Sequence, residues 1–325
     1  MNAHASPARP LSVGRYAPSP TGSLHLGNLR TALAAYLSAR ARDGRFLVRI
    51  EDLDRNRSRP DLIVEQLADL EALGIEWDSE PLRQSGRGDI YAGHFERLKR
   101  TGLVYPCFCS RKDVQAALSA PHAPAGRGYP GTCANLPAAV AQERIARGDR
   151  HSWRLRVQQA PKSFFDGFAG EFRYDLEAEG GDFVLLRSDG FFAYQFACAL
   201  DDALSGVTEV LRGADLLDSG LRQAYVLACL RLAPPRYCHI PLMMDEGSGR
   251  LSKRRGSADL RAFADAGFDA LAVRSYLAHT LGLCEVGEWP AMTELVERWD
   301  LARVPREEVL FSQQTLAAFG ESQSP

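Results

Sequence analysis

Residues 13–28 read Val13-Gly-Arg-Tyr-Ala-Pro-Ser-Pro-Thr-Gly-Ser-Leu-His25-Leu-Gly-Asn28. Val13 to Ala17 is a short strand. Pro18-Ser19-Pro20-Thr21-Gly22 must turn, because two prolines fix φ and remove donors. From His25 to about Arg42 apolar residues recur at helical spacing (Leu26, Leu29, Leu33, Tyr36, Leu37), and Asp43-Gly44 stops the helix. Phe46 to Ile50 is a second apolar strand, ending at Glu51-Asp52. Strand, helix and strand within about 40 residues form a βαβ unit, whose crossover implies a parallel sheet.

Outward from this unit the periodicity predicts helices over Asp61–Leu73 and Tyr91–Arg100. The texture then changes. Residues 106–184 hold Cys107, Cys109, Cys133 and an Ala/Pro/Gly-rich loop, and read as an insertion. Strands are expected at Gly190–Phe196, Val207–Leu211 and Tyr237–Met243, with a helix over Asp215–Leu232. Gly247 to Gly256 is a basic loop bounded by glycines, and residues 257–325 read as helical. The expected organisation is a flexible tail (1–11), a Rossmann-like α/β domain (12–105 with 185–256), the insertion (106–184) and a helical C-terminal region (257–325).

Composition narrows the class. The chain has 325 residues, 45% hydrophobic and 25% charged, as in ordinary globular proteins. Its net charge of −2 gives no global basic footprint, so a polyanion would need a local basic surface. No stretch reaches the roughly 18 apolar residues of a membrane span, and Met1–Leu11 lacks the apolar core of a secretory signal. Seven cysteines in a chain this long do not make a disulfide scaffold, which points to a reduced, cytoplasmic enzyme.

Two segments carry the chemistry. A helix that starts at His25-Leu26-Gly27-Asn28 presents free N–H groups and a partial positive charge to an anion, and a glycine there admits a phosphate or ring close to the backbone. His25 can donate to a phosphate oxygen as charge builds up. Downstream, Arg250-Leu251-Ser252-Lys253-Arg254 is a cation-rich loop able to clamp a triphosphate.

In their order and position these segments resemble the HIGH and KMSKS signatures of class I aminoacyl-tRNA synthetases. Pro18-Ser-Pro-Thr-Gly-x-x-His-x-Gly27 with Arg49-Ile-Glu-Asp-Leu-Asp54, and Val207-Thr-Glu-Val-Leu-Arg-Gly-Ala-Asp215, resemble the glutamate branch of that class. The likeness spans roughly residues 13–262. Asn28 stands where the signature has a second histidine, and Arg250 and Arg254 flank the retained Lys253. The resemblance implies that His25 and Lys253 are catalytic. It implies that Gly27, Asn28, Arg250, Ser252 and Lys253 bind ATP. It also implies that Arg15, Tyr16, Ala17, Pro18, Ser19, Glu51, Tyr194 and Arg212 form the glutamate pocket. There Arg15 and Arg212 take carboxylates, as charge complementarity requires, and Glu51 takes the ammonium.

Cys107-Phe-Cys109 and Cys133 suggest one structural zinc, which needs a fourth ligand. Imidazole chemistry favours His122. A short glutamyl synthetase-like family with Cys-x-Cys and Tyr-x-x-x-Cys in its insertion favours Tyr129. After Lys253 about 70 residues remain, and Gly282–Pro325 carries eight acidic against three basic side chains. A helical anticodon-binding domain is therefore not expected, since acidic surface repels a phosphate backbone.

Together these features resemble the glutamyl-queuosine tRNA(Asp) synthetase family. The resemblance implies a monomer that activates glutamate with Mg²⁺-bound ATP and transfers it to queuosine in the anticodon loop of tRNA(Asp). Two alternatives are a minimal glutamyl-tRNA synthetase acting on the 3′ end and an inactive RNA-binding paralogue.

Overall fold

A computed structural model describes residues 11–119, 128–245, 249–250 and 259–320. The chain runs β1 (Val13–Tyr16), α1 (Leu26–Arg40), β2 (Arg45–Ile50), α2 (Pro60–Ala72), β3 (Leu82–Arg83), α3 (Gly88–Arg100) and β4 (Val104–Cys107). Then come α4 (Arg111–Leu118), α5 (Ala138–Ala146), β5 (Ser152–Leu155), β6 (Ser163–Asp166), β7 (Gly170–Arg173) and β8 (Phe183–Leu186). The remainder is α6 (Tyr194–Leu204), β9 (Glu209–Gly213), α7 (Leu217–Leu230), β10 (Arg236–Ile240), β11 (Met243–Asp245) and β12 (Gly249–Arg250), followed by α8 (Leu260–Asp265), α9 (Ala270–Thr280), α10 (Met292–Arg298), β13 (Val309–Leu310) and α11 (Gln313–Gly320).

Strands β1, β2 and β3 pair in parallel, as do β9 and β10. The two sets meet where the Thr208 N–H donates to the Val13 carbonyl at 2.9 Å. The connections are crossovers, so β1, β9 and most of β2 and β10 are buried, whereas short β3 lies at the partly exposed edge. Helix α1 lies against β1, β9 and α9 and is buried over most of its circumference, with Leu26, Leu29, Leu33 and Leu37 each 0% exposed. Gly14 permits the closeness: a Cβ there would sit 2.9 Å from the Ala39 Cβ.

Buried Arg30 joins three elements. Its guanidinium donates to the Thr280 Oγ1 (3.2 Å), the Thr280 carbonyl (3.2 Å) and the Pro241 carbonyl (2.8 Å). Burial, opposed in part by Tyr276, lowers its pKa to about 10, and the three hydrogen bonds offset part of the burial cost.

Between α3 and α6 lies a second architecture. Strands β4, β5 and β8 form an antiparallel sheet, and β6 and β7 form a separate hairpin. A second apolar core joins β5 and β8 to α3, α6 and α7.

Two expectations change. Gly190–Phe196 is not a strand: apart from a single bridge between Leu186 and Phe192 it is a turn, and α6 begins at Tyr194. The aromatic run mimicked β preference, but Phe192 and Phe196 pack into the second core from a loop and a helix. The C-terminal region is not purely helical either, since β13 pairs in parallel with β11. No described helix is long and apolar enough to cross a membrane.

Candidate active site

One cavity of about 570 Å³ opens at the carboxyl ends of β1, β2 and β9, the place where open α/β sheets bind ligands. Arg15, Tyr16, Ala17, Pro18, Ser19, His25, Gly27, Asn28, Glu51, Tyr194 and Arg212 all line it. Sequence separations of up to nearly 200 residues thus collapse onto one cavity. Ser252 and Lys253 lie outside the described residues, as does His122. The backbone of Arg250 lies in β12, paired with Met244.

The floor is the start of α1. His25 is its N-cap: the His25 Nδ1 accepts from the Asn28 N–H at 3.3 Å, while the Asn28 Oδ1 accepts from the His25 N–H at 3.3 Å. This reciprocal box gives the His25 N–H an acceptor and adds a second one to the Asn28 N–H, which also donates to the His25 carbonyl at 2.8 Å. It gives the departure at Asn28 a local role, and it places the imidazole proton on Nε2, because Nδ1 is an acceptor. A Cβ on Gly27 would lie 3.1 Å from the His25 ring, so glycine is what lets the ring fold back over the helix start. Asp259 forms an antiparallel bridge with His25. The described residues on either side of 251–258 are thus both paired, Gly249–Arg250 with β11 and Asp259 with His25.

Charge is concentrated at the strand ends. The Arg15 Nε–H donates to the Asp202 Oδ1 at 3.2 Å, and its NH1 lies 3.5 Å from the Leu211 carbonyl. The Arg49 NH1 donates to the same Oδ1 at 2.5 Å, and its NH2 to the Glu51 Oε1 at 3.1 Å. Both arginines are about 5% exposed and Asp202 is wholly buried. Burial alone would raise the Asp202 pKa, but the Arg49 and Arg15 charges override it and hold the carboxyl below its usual value. Glu51 also accepts from the Ser19 Oγ (3.4 Å) and the Cys198 Sγ (2.9 Å). Burial, then the Glu51 charge, pushes the Cys198 thiol well up, so it stays protonated as a donor.

Across the cavity, the Arg212 NH1 donates to the Gln223 Oε1 (2.8 Å) and approaches the Tyr194 Oη (3.4 Å), and its NH2 donates to the Leu216 carbonyl (3.2 Å). Sequence reasoning missed these supports: Asp202, Cys198, Gln223 and Gln66. Gln66 is buried, and its Nε2 donates to the Ser19 and Gly22 carbonyls to lock the proline turn. The apolar neighbours of Cys198, and the position of Asp202 and Gln223 within helices, gave no signal of their role.

A second cluster lies around β4. The Sγ atoms of Cys107, Cys109 and Cys133 all fall within 4.8 Å of one another. The Tyr129 Oη sits among them, 3.3 Å from the Cys107 Sγ and 3.8 Å from the Cys109 Sγ, with the Cys109 and Cys133 sulfurs 3.6 Å apart. Four ligands at zinc-like bond lengths of about 2.0–2.3 Å would be separated by roughly 3.5–3.8 Å in a tetrahedron. Three of the donor separations, 3.3, 3.6 and 3.8 Å, come close to that spacing, so the cysteine cluster fits one thiophilic ion. Of the other cysteines, Cys198 and Cys238 are buried as expected, while Cys229 and Cys284 are only half-buried.

A parallel α/β sheet with a helix-start site and a paired-arginine pocket at its carboxyl ends is the catalytic architecture of a class I synthetase. The family model for class I tRNA synthetases (E and Q), catalytic domain, matches residues 13–317. Glutamyl-Q tRNA(Asp) synthetases resemble the chain over nearly its whole length. That of Symbiobacterium thermophilum is 44% identical, covering 94% of this chain and 97% of the relative. That of Nocardia farcinica is 45% identical, covering 91% of each. A glutamate tRNA ligase of Elizabethkingia meningosepticum, crystallised with its amino acid, superposes with a TM-score of 0.83 at 26% identity, over 96% of this chain and 69% of that one. The chain belongs to the class I tRNA synthetases and, within them, to the family of the glutamyl-Q tRNA(Asp) synthetases.

Proposed function

We propose that the protein activates L-glutamate with ATP and passes the glutamyl group to queuosine in the anticodon loop of tRNA(Asp). The observation that carries this reading is one cavity that gathers two arginines, a carboxylate and a helix N-terminus. A dicarboxylic amino acid is complementary to it. Arg15 and Arg212 face the two carboxylates, Glu51 and Ser19 take the ammonium, and Tyr16, Ala17, Pro18 and Tyr194 wall the pocket. ATP lies along Gly27 and Asn28, with its phosphates toward His25, Arg250, Ser252 and Lys253.

In the first step a glutamate carboxylate oxygen attacks the α-phosphorus in line, and pyrophosphate departs with the magnesium it shares with ATP. The His25 Nε2–H and the α1 N-terminus stabilise the negative charge that develops, together with the Lys253 cation. The enzyme supplies no covalent nucleophile. In the second step a queuosine ring hydroxyl attacks the mixed anhydride, and AMP leaves. Cys107, Cys109, Tyr129 and Cys133 hold one zinc, whose contribution is structural, within an insertion spanning residues 106–184.

Glutamate-dependent ATP–pyrophosphate exchange tests the first half of this reading. Exchange with glutamate, and much less with glutamine or aspartate, is expected. Exchange that ignores the amino acid supplied would overturn the pocket assignment.

A further inference from the structure

The best-supported arginine in the cavity rests on a pair of side chains that none of the recognised motifs contains. The Arg212 Nε–H donates to the His239 Nε2 at 2.8 Å, and the His239 Nδ1 lies 2.6 Å from the Asp166 Oδ2. Arginine has no acceptor, so Nε2 must accept and the ring proton must sit on Nδ1, donated to Asp166. The tautomer is fixed by its two neighbours.

Asp166 is wholly buried at the end of β6. Its Oδ1 accepts from the backbone N–H groups of Phe168 (2.9 Å), Ala169 (2.8 Å) and His239 (3.1 Å). Burial raises the Asp166 pKa, but these four hydrogen bonds outweigh it and keep the group ionised. Burial lowers the His239 pKa, the Asp166 hydrogen bond and charge oppose it, the Arg212 and Arg15 charges add to the lowering, and the net shift is downward. The ring is therefore neutral, as an acceptor must be.

The packing holds this pair in place. A Cβ at Gly220 would lie 3.2 Å from the His239 Cε1 and 3.1 Å from Phe164, so glycine makes room for the ring. The Gly167 N–H donates to the Tyr237 carbonyl at 2.7 Å, tying the β6–β7 turn to β10. Asp166 lies 73 positions from His239 in sequence, inside the segment that interrupts the parallel sheet.

We infer that His239 and Asp166 are positioning residues for substrate recognition. Asp166 fixes the His239 tautomer and His239 fixes the plane of the Arg212 guanidinium, so the insertion hairpin holds the amino-acid pocket in register. This rests on the reading of Arg212 as a substrate-carboxylate ligand. The remaining Arg212 contacts, to Gln223, Tyr194 and the Leu216 carbonyl, hold its NH1 and NH2 ends. The Arg212 guanidinium also lies 5.4 Å from the Tyr237 ring centroid, and His239 is the partner that takes its Nε–H.

Two substitutions at one position separate a positioning role from a merely structural one. In His239→Asn the side-chain amide replaces Nδ1 and still donates to Asp166, but nothing accepts from Arg212. In His239→Gln the side-chain carbonyl reaches the place of Nε2 and accepts from Arg212, but the Asp166 bond is lost. Glutamate-dependent ATP–pyrophosphate exchange is measured for both, alongside Asp166→Asn and Arg212→Lys, with melting temperatures as a control. His239→Asn should raise the KM for glutamate about tenfold or more, as expected for losing a hydrogen bond to a charged group, with the KM for ATP within about twofold. His239→Gln should return the glutamate KM to within about threefold of wild type. Asp166→Asn presents a donor to Nδ1, flips the tautomer and should follow His239→Asn.

Equal glutamate KM values for His239→Asn and wild type, with Arg212→Lys impaired, would overturn the positioning role while leaving the Arg212 reading intact. Equal losses in His239→Asn and His239→Gln, matched by equal falls in melting temperature, would also overturn it. An unchanged glutamate KM in Arg212→Lys would overturn the underlying pocket reading itself.

Discussion

Replacing Asp202 by Asn tests whether the buried charge cluster behind the pocket holds the sheet ends together. The carboxylate is wholly buried and serves two guanidiniums through one oxygen, at 2.5 Å to Arg49 and 3.2 Å to Arg15. Two unit charges about 4 Å apart attract by about 4 kcal/mol at an effective dielectric near 20, before desolvation. Much of that attraction offsets the cost of burying the ions, so the intact cluster adds little net stability. Removing one partner is different, because it strands buried charge and costs about 3–5 kcal/mol. Asn keeps one acceptor oxygen, and Arg49 keeps Glu51, so about 3 kcal/mol, the lower end, is expected. With a urea m-value of about 3 kcal/mol/M, the midpoint falls by about 1 M.

The pH dependence follows from the sign of the shift. The folded pKa of Asp202 is lowered, so its contribution is complete above the unfolded value of about 4 and fades as pH falls through the folded value. The gap between wild type and D202N should therefore stay constant from about pH 5 to 8 and narrow only below about pH 4. Urea unfolding followed by tryptophan fluorescence measures both. A D202N midpoint equal to that of wild type at pH 7 would refute the reasoning, as would a gap that closes near pH 6.

Three further outcomes are expected. His25→Ala should lose both the α1 cap, about 1 kcal/mol of stability, and adenylate formation by about a hundredfold; His25→Asn, which can cap, should recover the stability but not the activity. Lys253→Ala should slow glutamate-dependent pyrophosphate exchange by about a hundredfold with an unchanged melting temperature. Elemental analysis of Cys107→Ser should find the roughly one zinc per chain of the wild type gone, and limited proteolysis should open residues 106–184.

Much of the fold was legible because local rules and tertiary structure agree. Two prolines force the 18–22 turn, and the apolar spacing after His25 forms the helix the rules require. The cavity wall was legible because it is built from the carboxyl ends of those same strands. Tyr194 shows where local reasoning fails: an aromatic run reads as a strand, yet Phe192 and Phe196 are placed by a core assembled from residues up to about 100 positions away. The support of the pocket was silent for a similar reason. Asp202 meets Arg15 across 187 positions, and Asp166 meets His239 across 73. Each looks like an ordinary helix or hairpin residue until the topology brings its partner alongside. Spacing favoured His122, which lies outside the described residues, whereas the Tyr129 Oη meets the Cys107 and Cys109 sulfurs and accepts from the Cys133 backbone N–H.

Labelled glutamate transfer to an isolated tRNA(Asp) anticodon stem–loop, with and without queuosine, tests the central claim most directly. Such a fragment has no amino-acid acceptor end and exposes a splayed single-stranded loop, the form of RNA that proteins read best. The account predicts ATP-dependent labelling of the queuosine-bearing fragment and none of its guanosine counterpart. Labelling confined to full-length tRNA, at its 3′ end and indifferent to queuosine, would contradict it.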